Sequence, residues 1–459
     1  MIAIIGGGPG GYVTAIRLQQ YGFTPIVFER DRLGGVCLNR GCIPTKTLVR
    51  SAEVFSLIKE AGSFGLSADN PRIDFSAIYA RKNGVVEQLV SGVEFMFKKR
   101  GIPVVNAAVT ALRREGEQWV LTAGDEEHRA EKVILATGSV PKSLPFLPFD
   151  SERVLSSDDI LRLTELPQSL AIVGGGVIGC EFAAIFASLG SQVTVVEFLP
   201  GLVSMEDDEI AKRLTMALKK SGVTVHVKAG VESAERTSDG MCLHLSNGKT
   251  VEAEKVLMSV GRAPSLGFTV EGLQTERGAV VVDDAMRTNL PGLYAIGDLT
   301  GKMLLAHVAG AQGLRLAEAL RAEREGAPFT QPPLVYENIP RCTFTHPEIG
   351  SVGLTEQQAT DRYGEGVRVG RFPFAANGKA LGLGESFGFV KTIAAPDDTL
   401  VGMHILGPQA TELITEGAVL VQTGAKVADA ARLVHAHPTL AEAMLESIED
   451  LHGLAVHKI

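Results

Sequence analysis

Two cysteines stand five residues apart in the run Gly34-Gly35-Val36-Cys37-Leu38-Asn39-Arg40-Gly41-Cys42-Ile43-Pro44-Thr45-Lys46. In a regular α-helix this spacing separates the Cα atoms by roughly 7.5 Å along the axis, beyond the ~6.8 Å a disulfide usually tolerates. Sulfurs that pair across it need a distorted turn. Asn39 and Gly41 permit unusual backbone angles, and Pro44 cannot donate to the Arg40 carbonyl. A dithiol at a helix start is also activated, because the positive dipole end stabilises a thiolate. The chain has five cysteines, an odd number, which disfavours a structural disulfide framework and favours redox chemistry by the close pair. Cys180, Cys242 and Cys342 lack such surroundings and read as packing residues. No metal centre is expected.

The elements that must position this pair announce themselves as a repeat. Ile4-Ile5-Gly6-Gly7-Gly8-Pro9-Gly10-Gly11 and Ile172-Val173-Gly174-Gly175-Gly176-Val177-Ile178-Gly179 each join an apolar strand to a helix through a glycine turn. A constant shift of 168 positions carries Gly6 onto Gly174, Gly22 onto Gly190 and Glu29 onto Glu197. In each unit a second strand, Pro25–Glu29 or Gln192–Glu197, ends in the acid, the pattern of a βαβ dinucleotide site. Gly6, Gly8 and Gly11, and likewise Gly174, Gly176 and Gly179, let the backbone close on a pyrophosphate at a helix N-terminus. Glu29 and Glu197 accept hydrogen bonds from the adenosine ribose. A carboxylate at Glu197, with no arginine between Phe198 and Asp208, favours NAD over NADP because it repels a ribose 2′-phosphate.

At 459 residues and 45% hydrophobic content, the chain has room for about three domains of ~150 residues, each with its own core. Proline-rich stretches at Leu144–Asp150 and Ala327–Pro333 mark linkers. Beyond about Leu334, extended runs (Gly388–Ile393, Leu400–Ile405) alternate with helical patterns (Thr411–Thr423, Leu440–Leu451), which predicts a further α/β layer. The net charge of -9, with no basic block, argues against nucleic acid as a partner. No apolar stretch approaches the ~20 residues of a membrane span and no signal segment opens the chain, so a cytoplasmic protein is expected.

Further segments extend the pattern along essentially the whole chain: Ala136-Thr137-Gly138-Ser139, Ser259-Val260-Gly261-Arg262-Ala263-Pro264, Tyr294-Ala295-Ile296-Gly297-Asp298, Thr345-His346-Pro347-Glu348, Phe372-Pro373-Phe374-Ala375-Ala376-Asn377 and His435-Ala436-His437-Pro438-Thr439-Leu440-Ala441-Glu442. Together with the cysteine run they make the chain similar to the pyridine nucleotide-disulfide oxidoreductases, most of all to members that oxidise dihydrolipoamide. The resemblance implies an α/β protein with two Rossmann-like domains and a C-terminal α/β interface domain. FAD is then held by residues 1–143 and 265–330, NAD by 144–264, and a homodimer is made by 334–459. Thr137, Gly138, Asp298 and Ala306 join the FAD site, Asp298 at the ribityl chain, and Gly261 joins the NAD site. Lys46 lies near the flavin and pairs with Glu181. His437 is the active-site base and Glu442 its orienting acid, whereas His435 matches no catalytic position and reads as structural.

In the implied reaction His437 deprotonates dihydrolipoamide, the thiolate attacks Cys37, and electrons leave through Cys42 and FAD to NAD. The resemblance implies a lipoyl group on a carrier protein of a 2-oxo acid dehydrogenase complex or the glycine cleavage system; no lipoyl domain precedes Met1, so the substrate is expected to arrive on another protein or as a free small molecule. Two departures bear on the substrate. Arg40 stands between the cysteines where the family often has valine, and His307–Gly313 lacks the usual acidic, lysine-containing run. Arg40 keeps open an NAD-linked reductase of another small disulfide. A non-catalytic subunit of a multienzyme assembly is the third reading, opposed by the joint presence of Cys37, Cys42, His437 and Glu442. Mercury reduction is set aside because no cysteine follows Cys342.

Overall fold

A computed structural model describes residues 1–458. The chain divides into two compact units, one of residues 1–47, 76–142 and 261–336, the other of residues 48–75, 143–260 and 337–459.

The first unit is built on a five-stranded parallel sheet in the order Leu293–Ala295, Lys132–Leu135, Ile2–Ile5, Pro25–Phe28, Val104–Val105. All four residues of the central strand Ile2–Ile5 are buried, as expected for a strand covered on both faces. The helices Pro9–Gln20 and Ala306–Glu325 pack on each other. Gly313 makes the close approach possible, since a Cβ there would lie 2.0 Å from Thr14 Oγ1. A three-stranded antiparallel meander, Val109–Glu115, Gln118–Ala123 and Glu126–Ala130, is an excursion from the same unit.

The second unit repeats the design and adds a layer. Its parallel sheet runs Thr224–His226, Gln192–Val196, Ser169–Val173, Lys255–Met258, Val154–Leu155, again with a meander, Val231–Arg236, Met241–Leu245 and Thr250–Ala253. The C-terminal layer is an antiparallel sheet in the order Arg341–Thr343, Glu348–Gly353, Leu400–Gly407, Phe389–Ala394, Arg368–Pro373. The expected extended runs become its strands Phe389–Ala394 and Leu400–Gly407, and the expected helices appear as Ala410–Gln422 and Glu442–Glu449.

Register in this sheet aligns a polar row that spacing alone does not reveal. Arg341 pairs with Ser351, Ser351 with His404, His404 with Lys391, and Lys391 with Arg371, one residue from each of the five strands. Acids at the start of the helix Asp208–Lys220 meet the row: Lys391 Nζ lies 2.7 Å from Asp207, Arg371 donates to Glu209 at 2.8 Å, and Arg341 to Glu206 at 3.3 Å. Asp207 also caps that helix by accepting the Glu209 N–H. The three cations of the row are paired with these acids, which offsets the cost of burying them, whereas Ser351 Oγ, His404 Nδ1 and Glu206 Oε2 are buried without a hydrogen-bond partner among the described residues. Among the described residues no helix is long and apolar enough to cross a membrane.

Candidate active site

The two glycine turns have the same geometry. Gly6 and Gly174 both adopt φ +107°, and a Cβ on either would strike a carbonyl oxygen, that of Ala136 at 2.3 Å or Ser259 at 2.5 Å. A Cβ on Gly11 or Gly179 would collide with the carbonyl of Gly6 or Gly174 at about 2 Å, so the helix can approach its strand only without one. Around Gly176 a Cβ would meet nothing within 4 Å, and around Gly8 only Gly35 Cα at 3.8 Å. That open space beside a helix N-terminus is what an approaching pyrophosphate requires.

The strand-end acids are tied into these turns. Glu29 accepts the N–H of Gly7 at 2.6 Å and of Asp31 at 2.9 Å; Glu197 accepts those of Gly175 at 2.5 Å and Leu199 at 2.6 Å. Each carboxylate oxygen has a second lone pair left for a ribose hydroxyl. The residues present therefore fit two dinucleotides.

The redox segment rests directly on the first turn. Gly34 donates its N–H to Gly7 O at 2.9 Å, and a Cβ on Gly35 would lie 2.6 Å from Gly8 Cα. Both glycines have positive φ. The short helix Gly35–Arg40 carries Cys37; Gly41, at φ −143° and ψ −114°, breaks it; a new helix, Cys42–Lys59, starts at the second cysteine. The predicted distortion is therefore present, but Gly41 alone makes it. Asn39 is an ordinary helical residue, and its amide instead ties the turn by donating to Leu33 O and Gly35 O at 3.0 Å. Pro44 falls in the first turn of the new helix, where a missing N–H costs nothing.

The Cys37 thiol hydrogen-bonds to Cys42, which together with burial pushes its pKa well above the ordinary range despite the opposing charge of Lys46. Both sulfurs stand near a helix start, Cys42 at the head of the long helix and Cys37 in the first turn of the short one. Tyr12 packs close enough to feel the charge of Cys37, and burial first, then that charge, raises its own pKa. Arg40 forms an ion pair with Asp31.

Asp298 is the second residue of the short 3-10 turn Gly297–Thr300 and accepts Ser139 Oγ at 2.6 Å. Arg262 holds Ser139 in turn, through Oγ and the carbonyl at 2.8 Å. Gln312 accepts the Gly297 N–H at 2.6 Å. Thr137 donates to Ser265 O at 2.7 Å, Gly138 has φ +78°, and Ala306 begins its helix with no side-chain cap. Gly261, at φ +104°, accepts the Lys142 N–H at 3.0 Å. Nothing in the 123-residue spacing of Ser139 and Arg262 signals that they meet.

In the second unit Glu181 is buried and accepts the Phe344 N–H at 3.0 Å. His437 Nδ1 lies 2.8 Å from Glu442 Oε1, while Glu442 Oε2 accepts the Thr439 N–H at 2.7 Å. Desolvation raises the Glu442 pKa, but the Thr439 N–H and His437 outweigh it and hold the carboxyl below its usual range. The His437 side chain is 79% exposed, whereas that of His435 is buried against Glu416 at 2.9 Å, in keeping with a structural role. Cys180 is fully buried, and burial followed by the charges of Glu181 and Glu197 pushes it up to about 12, which suits an inert packing residue.

A cysteine pair seated on one of two dinucleotide folds, with a C-terminal layer carrying a His-Glu pair, defines a nucleotide-linked disulfide oxidoreductase. Residues 1–313 match the pyridine nucleotide-disulphide oxidoreductase family and residues 339–448 its dimerisation domain, and the chain belongs to that family. It is 41% identical to a dihydrolipoyl dehydrogenase of Bacillus subtilis (strain 168), covering 99% of both chains. With a dihydrolipoyl dehydrogenase of Chlorobaculum tepidum it shares 39% identity, over 98% of this chain and 96% of the relative. Among solved structures it is similar to LpdA from Mycobacterium tuberculosis, with a TM-score of 0.88 and 29% identity over 98% and 99% of the two chains. The HOCl-induced flavoprotein disulfide reductase RclA from Escherichia coli superposes with a TM-score of 0.84 at 26% identity, over 98% and 99%.

Proposed function

We propose that the protein is a cytoplasmic, homodimeric dihydrolipoyl dehydrogenase that oxidises dihydrolipoamide with FAD and NAD. The observation that carries this reading is the Cys37–Cys42 contact at the Gly41 break, on a helix whose first glycines rest on the turn Gly7-Gly8. Full-length relatives named dihydrolipoyl dehydrogenase support the choice of substrate. Arg40, the feature that favoured another disulfide, is engaged with Asp31.

Residues 1–143 and 265–330 hold FAD, with Gly6, Gly8, Gly11, Glu29, Thr137, Gly138, Asp298 and Ala306 around it. Residues 144–264 hold NAD at Gly174, Gly176, Gly179, Glu197 and Gly261. Lys46 lies beside the flavin. When bound, FAD supplies the two-electron relay between the cysteines and NAD.

In the oxidised enzyme Cys37 and Cys42 are joined. His437, oriented through Nδ1 by Glu442, takes the proton of one dihydrolipoamide thiol, and the thiolate forms a bond to Cys37 sulfur as the Cys37–Cys42 bond breaks. Cys42 leaves as thiolate. The second substrate thiol then attacks the mixed disulfide, lipoamide departs, and Cys37 takes up a proton. In the resulting pair Cys37 and Cys42 stay in hydrogen-bond contact across the Gly41 break. The exposed His437, flanked by Leu433 and the 97% exposed Val434, supports a dimer in which the partner covers this surface. Anaerobic titration of the purified holoenzyme tests the reading: dihydrolipoamide and NADH should each reduce the flavin, NADPH poorly. Reduction by NADH without reduction by dihydrolipoamide refutes the substrate.

A further inference from the structure

The meander Val231–Arg236, Met241–Leu245 and Thr250–Ala253 has no part in the proposed reaction. Strand alternation sends Met241, Leu243 and Leu245, with Val251 and Ala253, into the core, which leaves Cys242 and His244 on the opposite face. Cys242 is buried, as its reading as a packing residue expects, but on the face away from that core cluster. Register places Glu235 directly opposite Cys242 on one side and Glu252 opposite it on the other. The ligand atoms of Glu235, Cys242 and His244 all lie within 4.8 Å of one another.

We infer that Glu235, Cys242 and His244 form a binding site for a divalent transition cation of the zinc class, with Glu252 or water as the fourth ligand. His244 Nε2 and Glu235 Oε1 are 3.4 Å apart. That is long for a charge-assisted hydrogen bond, yet it matches the roughly 3.3 Å edge of a tetrahedron with ~2.0 Å metal–nitrogen and metal–oxygen bonds. Bringing the sulfur to its ~2.3 Å bond needs only side-chain rotation, since Glu235 and His244 are exposed enough to move. Two flanking carboxylates oppose ionisation of Cys242: burial first, then Glu252 and Glu235, raise its pKa. A dication reverses that balance, because it is attracted to both carboxylates and takes the thiolate as a ligand. Sulfur and imidazole select zinc-like ions over magnesium or calcium. The three ligands sit on two hydrogen-bonded strands, so the ladder preorganises them without any further folding.

The test is zinc binding to metal-stripped, oxidised holoenzyme, in which Cys37 and Cys42 are joined and offer no thiolate. Competition against a chromogenic chelator should give one zinc per chain, retained in a Cys37→Ser/Cys42→Ser holoprotein. Cys242→Ser and His244→Ala should each weaken binding roughly 10–100-fold while leaving the flavin spectrum and zinc-free turnover unchanged. X-ray absorption at the zinc edge should show one sulfur at about 2.3 Å, lost in Cys242→Ser. Failure of the wild type to bind zinc at micromolar concentration, binding unaltered by His244→Ala, or a zinc shell without sulfur overturns the proposal.

Discussion

His437 and Glu442 form a two-point assembly in which the imidazole Nδ1 lies 2.8 Å from one carboxylate oxygen while Thr439 N–H holds the other at 2.7 Å. The acid cannot rotate away, so Nε2 is left for the substrate thiol. His437→Gln should lower kcat for dihydrolipoamide oxidation by roughly 10²–10⁴-fold. Glu442→Gln should also lower kcat, though by less, because it keeps a side chain at Nδ1 but removes the charge that stabilises the imidazolium formed during proton transfer. A Glu442→Gln enzyme with wild-type kcat would deny the acid its electrostatic role.

The sulfurs should separate spectrally. Since Cys42 heads the long helix, whose positive end stabilises a thiolate, Cys37→Ser should leave a thiolate next to oxidised flavin and show a long-wavelength charge-transfer band. Cys42→Ser should lack it. The reverse pattern assigns the flavin-proximal role to Cys37.

Cofactor choice should follow Glu197, whose carboxylate is held at the second glycine turn by Gly175 and Leu199. Steady-state kinetics should favour NADH over NADPH. Glu197→Gln with an arginine at Phe198 should narrow that preference at least tenfold, and equal wild-type use of both nucleotides contradicts the assignment.

If each site joins the cysteines of one chain to the His437 of its partner, two defective chains should complement. A Cys42→Ser chain co-expressed with a His437→Ala chain should give about half hybrid dimers, each with one intact site, and so roughly a quarter of wild-type activity. Purified hybrids no better than the parents would place both groups of a site on one chain, or remove His437 from it.

The Lys391–Asp207 pair predicts an acid-dependent stability difference. Desolvation raises the Asp207 pKa, but Lys391, His404 and the Glu356 N–H outweigh it, so the folded value lies below the usual 3.8. A depressed carboxyl contributes stability above its unfolded pKa and loses it as pH falls through the folded one. Asp207→Asn keeps a helix cap while removing the charge. Denaturant melts should find the variant less stable at neutral pH, with the gap narrowing as pH falls below about 4. A gap of constant size across that range means the charge contributes nothing.

Much of this protein was legible without coordinates, because the features concerned are local. A glycine turn between a strand and a helix depends on residues a few positions apart, so the twin fingerprints, Glu29 and Glu197, and the strained Cys37–Cys42 turn could be read directly from the sequence. His437 and Glu442 are likewise five residues apart and meet across one turn. Tertiary structure decided whatever depends on pairing distant segments. It concentrated the distortion in Gly41 rather than sharing it with Asn39, because Asn39 finds its partners in Leu33 and Gly35. It set Gly35 on Gly8, gave Arg40 to Asp31, and braced Asp298 through Ser139 and Arg262. Sheet register, chosen by which side chains the core accepts, aligned Arg341, Ser351, His404, Lys391 and Arg371 in one row and put Glu235 opposite Cys242. A shift of one residue in either sheet would turn those side chains to the other face, so no linear spacing could have foretold them.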